Sequence, residues 1–226
     1  MSKWAEDNDP KVRRFASEGC RPRLPWAMAI PRFKKDPTPI LEVLEKLKYD
    51  DSEDVRRSVA NNLNDISKDN PHIAISVCKR WLGQAKETDN LLKHACRGLL
   101  KSGNMEVLAM FGYSDPANIH IDNFALKPHK LMIGHTLGFA FDLTIKEKCK
   151  VRFEYAVYYL KARGQYSKKV FKITEDEYKQ GTYRISRRQS FAERTTRRHY
   201  PGEHYISIIA NGEEKHKASF WIDQVV

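Results

Sequence analysis

The chain has 226 residues, 41% of them hydrophobic and 31% charged, with a formal net charge of +11. That hydrophobic share is enough for a packed core, and the charged share, though high, is not that of a disordered chain. No run of 18 apolar residues is present, which excludes a membrane-spanning helix, and MSKWAEDNDP lacks the apolar stretch of a signal peptide.

The excess cation is unevenly placed. Residues 1–125 carry 20 Lys and Arg against 18 Asp and Glu, whereas residues 126–226 carry 20 against 11. A basic second half beside a near-neutral first half points to a polyanion, most simply nucleic acid. Cys20, Cys78, Cys96 and Cys149 show no CxxC spacing and read as reduced intracellular thiols, with no metal site. The expected location is therefore the cytoplasm.

In chain order, the first half has helical periodicity. Ile40, Leu41, Leu44 and Leu47 predict a helix within 37–50, and Val55, Val59, Leu63 and Ile66 a longer one that Pro71 stops. Residues 70–85 and 88–103 predict the next pair, the latter closed by Gly103, and 104–113 one more short helix.

These helices repeat. DNDPKVRRFASEG overlays DDSEDVRRSVANN with Val12 on Val55, a shift of 43 residues; ETDNLLKHACRGL follows with Leu92 on Val55, a shift of 37. That period predicts a HEAT-like α-solenoid whose inner helices line a concave surface. The chain opens almost inside a repeat, as expected of an array shortened at its N-terminus.

The second half changes to period two. Residues 129–145, 150–162, 168–191 and 202–222 predict six or seven short strands, and Asn211-Gly212 predicts a hairpin. The expected fold is multidomain, α then β. A helical repeat domain occupies 1–120 and a small antiparallel immunoglobulin-like β-sandwich 127–226, with 114–128 a connector lacking clear period. Along 150–162 the alternation sets Val151, Phe153, Tyr155, Val157 and Tyr159 against Arg152, Glu154 and Ala156.

Arg57, Asn61 and Asp65 stand at i, i+4 and i+8 and so share one helix face. The overlay adds Arg14 and Glu18 from the first repeat, and His94, Gly98 and Ser102 from the third, where Gly98 would leave room for a backbone to approach. Arg14 with Glu18 could equally be an ordinary i, i+4 ion pair. A carboxylate facing DNA repels phosphates, which singles out Asp65 and Glu18 as residues with another task. In GCRPRLPWAMAIP, Arg21 and Arg23 could reach phosphates, and Trp26 could stack on a base or sugar or plug the core.

VRRFASEGCRPRLPW followed by VRRSVANNLNDISKDNP resembles the AlkC branch of the AlkC/AlkD family, alkylpurine DNA glycosylases of bacteria built from HEAT-like repeats. KPHKLMIGHTLGFAFDL and TTRRHYPGEHYISIIANG resemble the immunoglobulin-like C-terminal domain of one AlkC subgroup, so the resemblance covers nearly the whole chain. It implies excision of cationic alkylated purines of the 3-methyladenine class from double-stranded DNA, without full base flipping. No metal or organic cofactor is expected, because the sequence shows no ligand cluster. It implies Asp65 as the catalytic aspartate, Glu18 as a second active-site carboxylate and Trp26 as an aromatic against the lesion's deoxyribose. Arg14, Arg57 and Arg21 would hold the backbone, and Arg23, Asn61, Lys68 and His94 complete the DNA-contacting set. In the second domain the loop 194–204, with Arg194, Arg197 and Arg198, would add grip. His199 and His204 read as surface-loop residues rather than ligands. The expected protein is a monomer in the bacterial nucleoid. Members of the family carry further helices ahead of this point, and with them another acidic residue. The alternatives are a non-catalytic DNA-binding fragment and a HEAT-type interaction scaffold.

Overall fold

The computed structural model describes residues 1–193, 195 and 198–224. It divides into two compact units, Met1–Phe111 and Gly112–Val226.

The first unit is helical. After a 3-10 turn at Trp4–Glu6 come α1 (Pro10–Glu18), α2 (Pro31–Lys35), α3 (Thr38–Leu47), α4 (Glu53–Asp69), α5 (Pro71–Trp81), α6 (Lys86–Ala95), α7 (Arg97–Lys101) and α8 (Met105–Met110). The Asp9 side chain accepts from Lys11 N and Pro10 fills the first turn, which starts α1. Glu53 and Asp54 sit at the positive end of α4, and Pro71 both ends it and opens α5. The α4 stripe of Val55, Val59, Leu63 and Ile66 is fully buried, each side chain worth about 1.5–3 kcal/mol. Helix α4 packs against α1 on one side and α6 on the other, with α3 and α5 also against it.

Two elements depart from the periodicity. The single helix expected over 88–103 breaks at Cys96, whose ψ of 4° ends α6 before α7 begins. The Pro-rich stretch after Glu18 contains the short α2, started by Pro31.

An ion pair ties α1 to the turn before α4. Arg13 grips Asp50 with two bonds of 2.6 and 3.0 Å, while Asp50 Oδ1 accepts from Ser52 N at 2.9 Å. Burial works against the Asp50 charge, yet Arg13 and the Ser52 amide hold its carboxyl below the usual range. A depressed folded pKa contributes stability above the unfolded value near 3.9 and loses it as pH falls through the folded one. Thermal melting between pH 7 and pH 2 is expected to show less acid loss in Asp50→Asn than in the parent, starting from lower stability at pH 7.

The second unit holds eight described strands, against six or seven expected: β1 (Ile119–Lys127), β2 (Lys130–Met132), β3 (Thr136–Ile145), β4 (Cys149–Leu160), β5 (Tyr166–Tyr178), β6 (Gly181–Ser190), β7 (Gly202–Ala210) and β8 (Glu213–Asp223). One sheet runs β1-β3-β6 and the other β2-β8-β7-β4-β5. All pairs are antiparallel except β2 with β8, so the sandwich is not wholly antiparallel. The sheets meet through Phe139 on Tyr155 and Phe141 on Phe153, at ring separations of 5.0 and 6.2 Å. Asn211 and Gly212 both take positive φ, 43° and 82°, and turn β7 into β8.

The boundary between the halves needs correcting. The helical unit ends at Phe111 rather than 120, and the supposed connector contains β1. Its alternation is interrupted by a bulge between Asp122 and Ala125, where Asn123 adopts φ 51°. Strand β4 also differs, because it is central and flanked by β5 and β7. Arg152 and Glu154, on the face opposite Phe153, are buried as an ion pair of 2.7 Å. His199 and His204 are buried rather than superficial. His204 Nδ1 accepts from Leu160 N at 3.2 Å and its Nε2–H donates to Tyr200 O at 2.9 Å; burial lowers its pKa.

Candidate DNA-processing site of the helical unit

The site is assembled where the end of α1 meets the middle of α4. Buried polar residues on α4 set this contact: Asn62 Nδ2 donates to Ser17 O at 2.8 Å, and Ser58 Oγ lies 3.2 Å from Ser17 Oγ. Ser58 also donates to Glu18 Oε2 at 2.9 Å, which fixes that carboxylate against α4.

A single guanidinium then joins two carboxylates. Arg21 reaches Glu18 Oε1 from Nη1 at 2.6 Å, and Asp65 Oδ2 from Nε and Nη2 at 2.8 and 2.7 Å. Burial opposes the Arg21 charge, but Asp65 and Glu18 together hold its pKa above the usual value. The other oxygen of Asp65 accepts from Lys68 Nζ at 2.8 Å. The Asp65 side chain is 2% exposed, Lys68 51% and Glu18 25%. Asp65 is thus the deep carboxylate, with the half-exposed Lys68 over one face, and Glu18 the one that meets solvent.

Glu18 opens into a cleft of about 490 Å³ between α1 and α4, rimmed by Lys11, Arg14, Arg57, Ser58 and Asn61, with Asp54 also in its wall. Arg14 and Arg57 are exposed. Arg57 also borders a second cleft, of about 460 Å³ between α4 and α6, that includes His94. The i, i+4 pairing of Arg14 with Glu18 does not form; Glu18 turns to Arg21 instead.

Other expected contacts lie differently. Arg21 is buried between carboxylates and so is no phosphate contact in this arrangement. Arg23 gives its fork to Asp69 at 2.7 and 2.6 Å, pinning the loop to the end of α4. Gly98 does not leave space for a ligand: a Cβ there would come within 3.2 Å of Asn64 Oδ1, so its small size serves the packing of α7 on α4. Ser102 bonds to Leu99 O, outside the stripe. Trp26 is 99% exposed, so it is no core plug. Trp26→Ala is expected to change unfolding free energy by no more than about 0.5 kcal/mol in denaturant melts; any role it has is toward a ligand. In the β unit Arg198 is exposed, its guanidinium 5.8 Å from the Tyr200 ring centre. Arg194 and Arg197 lie outside the described residues.

The periodicity missed Arg97, which follows the break at Cys96. Its Nη2 donates to Asn61 Oδ1 at 3.0 Å and its Nη1 to His94 O at 2.7 Å. His94 Nε2 lies 3.1 Å from the same Asn61 oxygen. Burial lowers the Arg97 pKa, with Arg21 repelling and Asp65 attracting it. Burial, Arg97 and Arg57 likewise depress His94. Among the described residues no group of three or more His, Cys, Asp and Glu is placed to hold a metal. No described helix is long and apolar enough to cross a membrane.

The cluster can therefore offer two fixed carboxylates, one deep and one at the mouth of a cleft with a cationic rim. Such carboxylates stabilise positive charge that develops on a bound group.

The chain as a whole is similar to known proteins. Residues 120–224 match the family described as the C-terminal Ig-like domain of the uncharacterised protein YhaZ. Over 220 residues the chain is 48% identical to the uncharacterized protein YhaZ of Bacillus subtilis (strain 168), covering 97% of this chain and 62% of that protein. The Pseudomonas fluorescens alkylpurine DNA glycosylase AlkC, solved bound to DNA containing an abasic site analog, superposes with a TM-score of 0.93 at 36% identity, over 98% of this chain and 62% of that one. The chain spans about three fifths (62%) of the length of both. The likeness to AlkC-type proteins read from the sequence holds in sequence and in fold, helices first and β domain after.

Proposed function

We propose that this chain, AlkC-like along its length and ending in a YhaZ-type Ig-like domain, carries the chemistry of a DNA repair glycosylase acting on cationic alkylated purines. The observation that supports this most directly is the Glu18–Arg21–Asp65 bridge, which runs from Glu18 at a cation-rimmed cleft to the buried Asp65. A protein that only grips DNA gains nothing from two carboxylates there.

In the proposed reaction the C1′–N bond breaks, its electron pair passes to the alkylated base, and the base leaves neutral. Positive charge develops on the deoxyribose, where Glu18 and Asp65 stabilise it. Water adds to C1′ and gives its proton to a carboxylate. Arg14 and Arg57 hold flanking phosphates, and exposed Trp26 lies against the deoxyribose. Lys68, on a flexible exposed stem, must leave Asp65 Oδ1 for that oxygen to act. The partner is double-stranded DNA with alkylated bases, met by a monomer in the bacterial cytoplasm.

The test is release of free 3-methyladenine from methylated duplex DNA. Release by the parent chain supports the reading; intact DNA binding with no release defeats it. The latter favours the binder reading, which has its own support in the 2% exposure of Asp65 and the occupation of both its oxygens.

A further inference from the structure

The outer face of the three-stranded sheet carries a second cationic feature, distant in sequence from the carboxylates. A groove of about 620 Å³ lies over β1, β3 and β6. Register brings Lys127, Gly138 and Arg188 into one cross-strand row, and Ala125, Ala140 and Ser186 into the next. Strands lie about 4.8 Å apart, so Lys127 and Arg188 flank the glycine at backbone positions roughly 10 Å from each other.

The floor between them has no side chain that projects. A Cβ on Gly138 would come within 3.1 Å of Lys127 O, so the notch cannot be filled by substitution without moving β1. Among the described residues Lys127 and Arg188 have no ion-pair partner. Exposed Arg187 donates to the neighbouring Ser186 O. Arg184, four residues along β6 from Arg188, pairs with Asp142 at 2.7 Å and closes the cationic run at that end. Four residues of strand span roughly 13 Å, a length over which a duplex presents several phosphates.

We infer that this groove binds the sugar-phosphate backbone of duplex DNA, with a phosphate seated over Gly138 between Lys127 and Arg188 and the strand continuing along β6. The low floor admits the bulky backbone, and paired cations that no carboxylate neutralises favour a dense polyanion over an isolated anion. The inference rests on the proposed function for DNA as the partner, and it names a surface that the loop at 194–204 does not supply.

The experiment is titration of an undamaged duplex at several salt concentrations with the full chain, the variant Lys127→Gln/Arg187→Gln/Arg188→Gln, and a control removing three charges elsewhere on the unit (Lys146→Gln/Lys161→Gln/Arg163→Gln). The groove variant is expected to lose about tenfold or more in affinity near 0.15 M salt. Its log–log salt slope should fall by about 0.9 for each phosphate contact removed. Melting temperatures confirm that all three are folded. An unchanged slope in the groove variant, or an equal loss in the control, overturns the inference and leaves the glycosylase reading untouched. Absence of DNA binding by the parent overturns both.

Discussion

Asp65→Asn is expected to lower the rate of alkylated-base release by roughly 10²- to 10³-fold, the scale for removing one preorganised electrostatic contact from a transition state. The same substitution removes a negative charge between Arg21 and Lys68, so affinity for the duplex should hold or rise. Single-turnover release and a binding titration, made on the same preparation, separate the two effects. Opposite movement of rate and affinity is the signature of a carboxylate that tolerates phosphate repulsion for the sake of chemistry. A variant that keeps its rate would shift the chemistry to Glu18, which already lies at the cleft.

Arg21→Met is expected to cost about 3 kcal/mol of unfolding free energy, near the lower end of the 3–5 kcal/mol range for breaking a buried ion pair. The lower end applies because Lys68 still reaches Asp65 and Ser58 still donates to Glu18. Denaturant unfolding at pH 7 measures the deficit. Arg21→Lys should restore little, because one ammonium cannot serve two carboxylates in the planar fork geometry of 2.6–2.8 Å contacts. A variant as stable as the parent would mean the bridge is incidental.

Helical periodicity located α3, α4 and α5 because their apolar stripes face a core on one side only, the condition under which a 3.6-residue period survives in sequence. It placed Asp65 and Asn61 on one face correctly, but it could not say that Asp65 points into protein. That outcome depends on the loop after α1 folding back so that Arg21 and Arg23 meet α4, a contact 44–46 residues distant in sequence. Arg97 escaped because the break at Cys96 shifts the phase of everything after it. A polar pair at Ser58 and Asn62, one turn apart beside the apolar stripe, was the available signal for the α1–α4 contact. In the β half, alternation located β3, β7 and β8, while the bulge at Asp122–Ala125 concealed β1. Alternation set Arg152 and Glu154 on the face opposite Phe153 but could not say that this second face is also buried.

The oxygen of Asn61 accepts from Arg97 and lies against His94 Nε2, so the orientation of its amide is fixed. The nitrogen is the end left for the cleft that Asn61 borders with Arg14 and Arg57. That edge of the cleft is therefore uniform in hydrogen-bond sense: it donates and does not accept. A ligand group that only donates, such as an ammonium, finds no complement along that edge, whereas the oxygens of a phosphodiester meet donors there. Selection against the wrong chemical group is thus built into a side chain that carries no charge, by two neighbours that remain outside the cleft's inner wall.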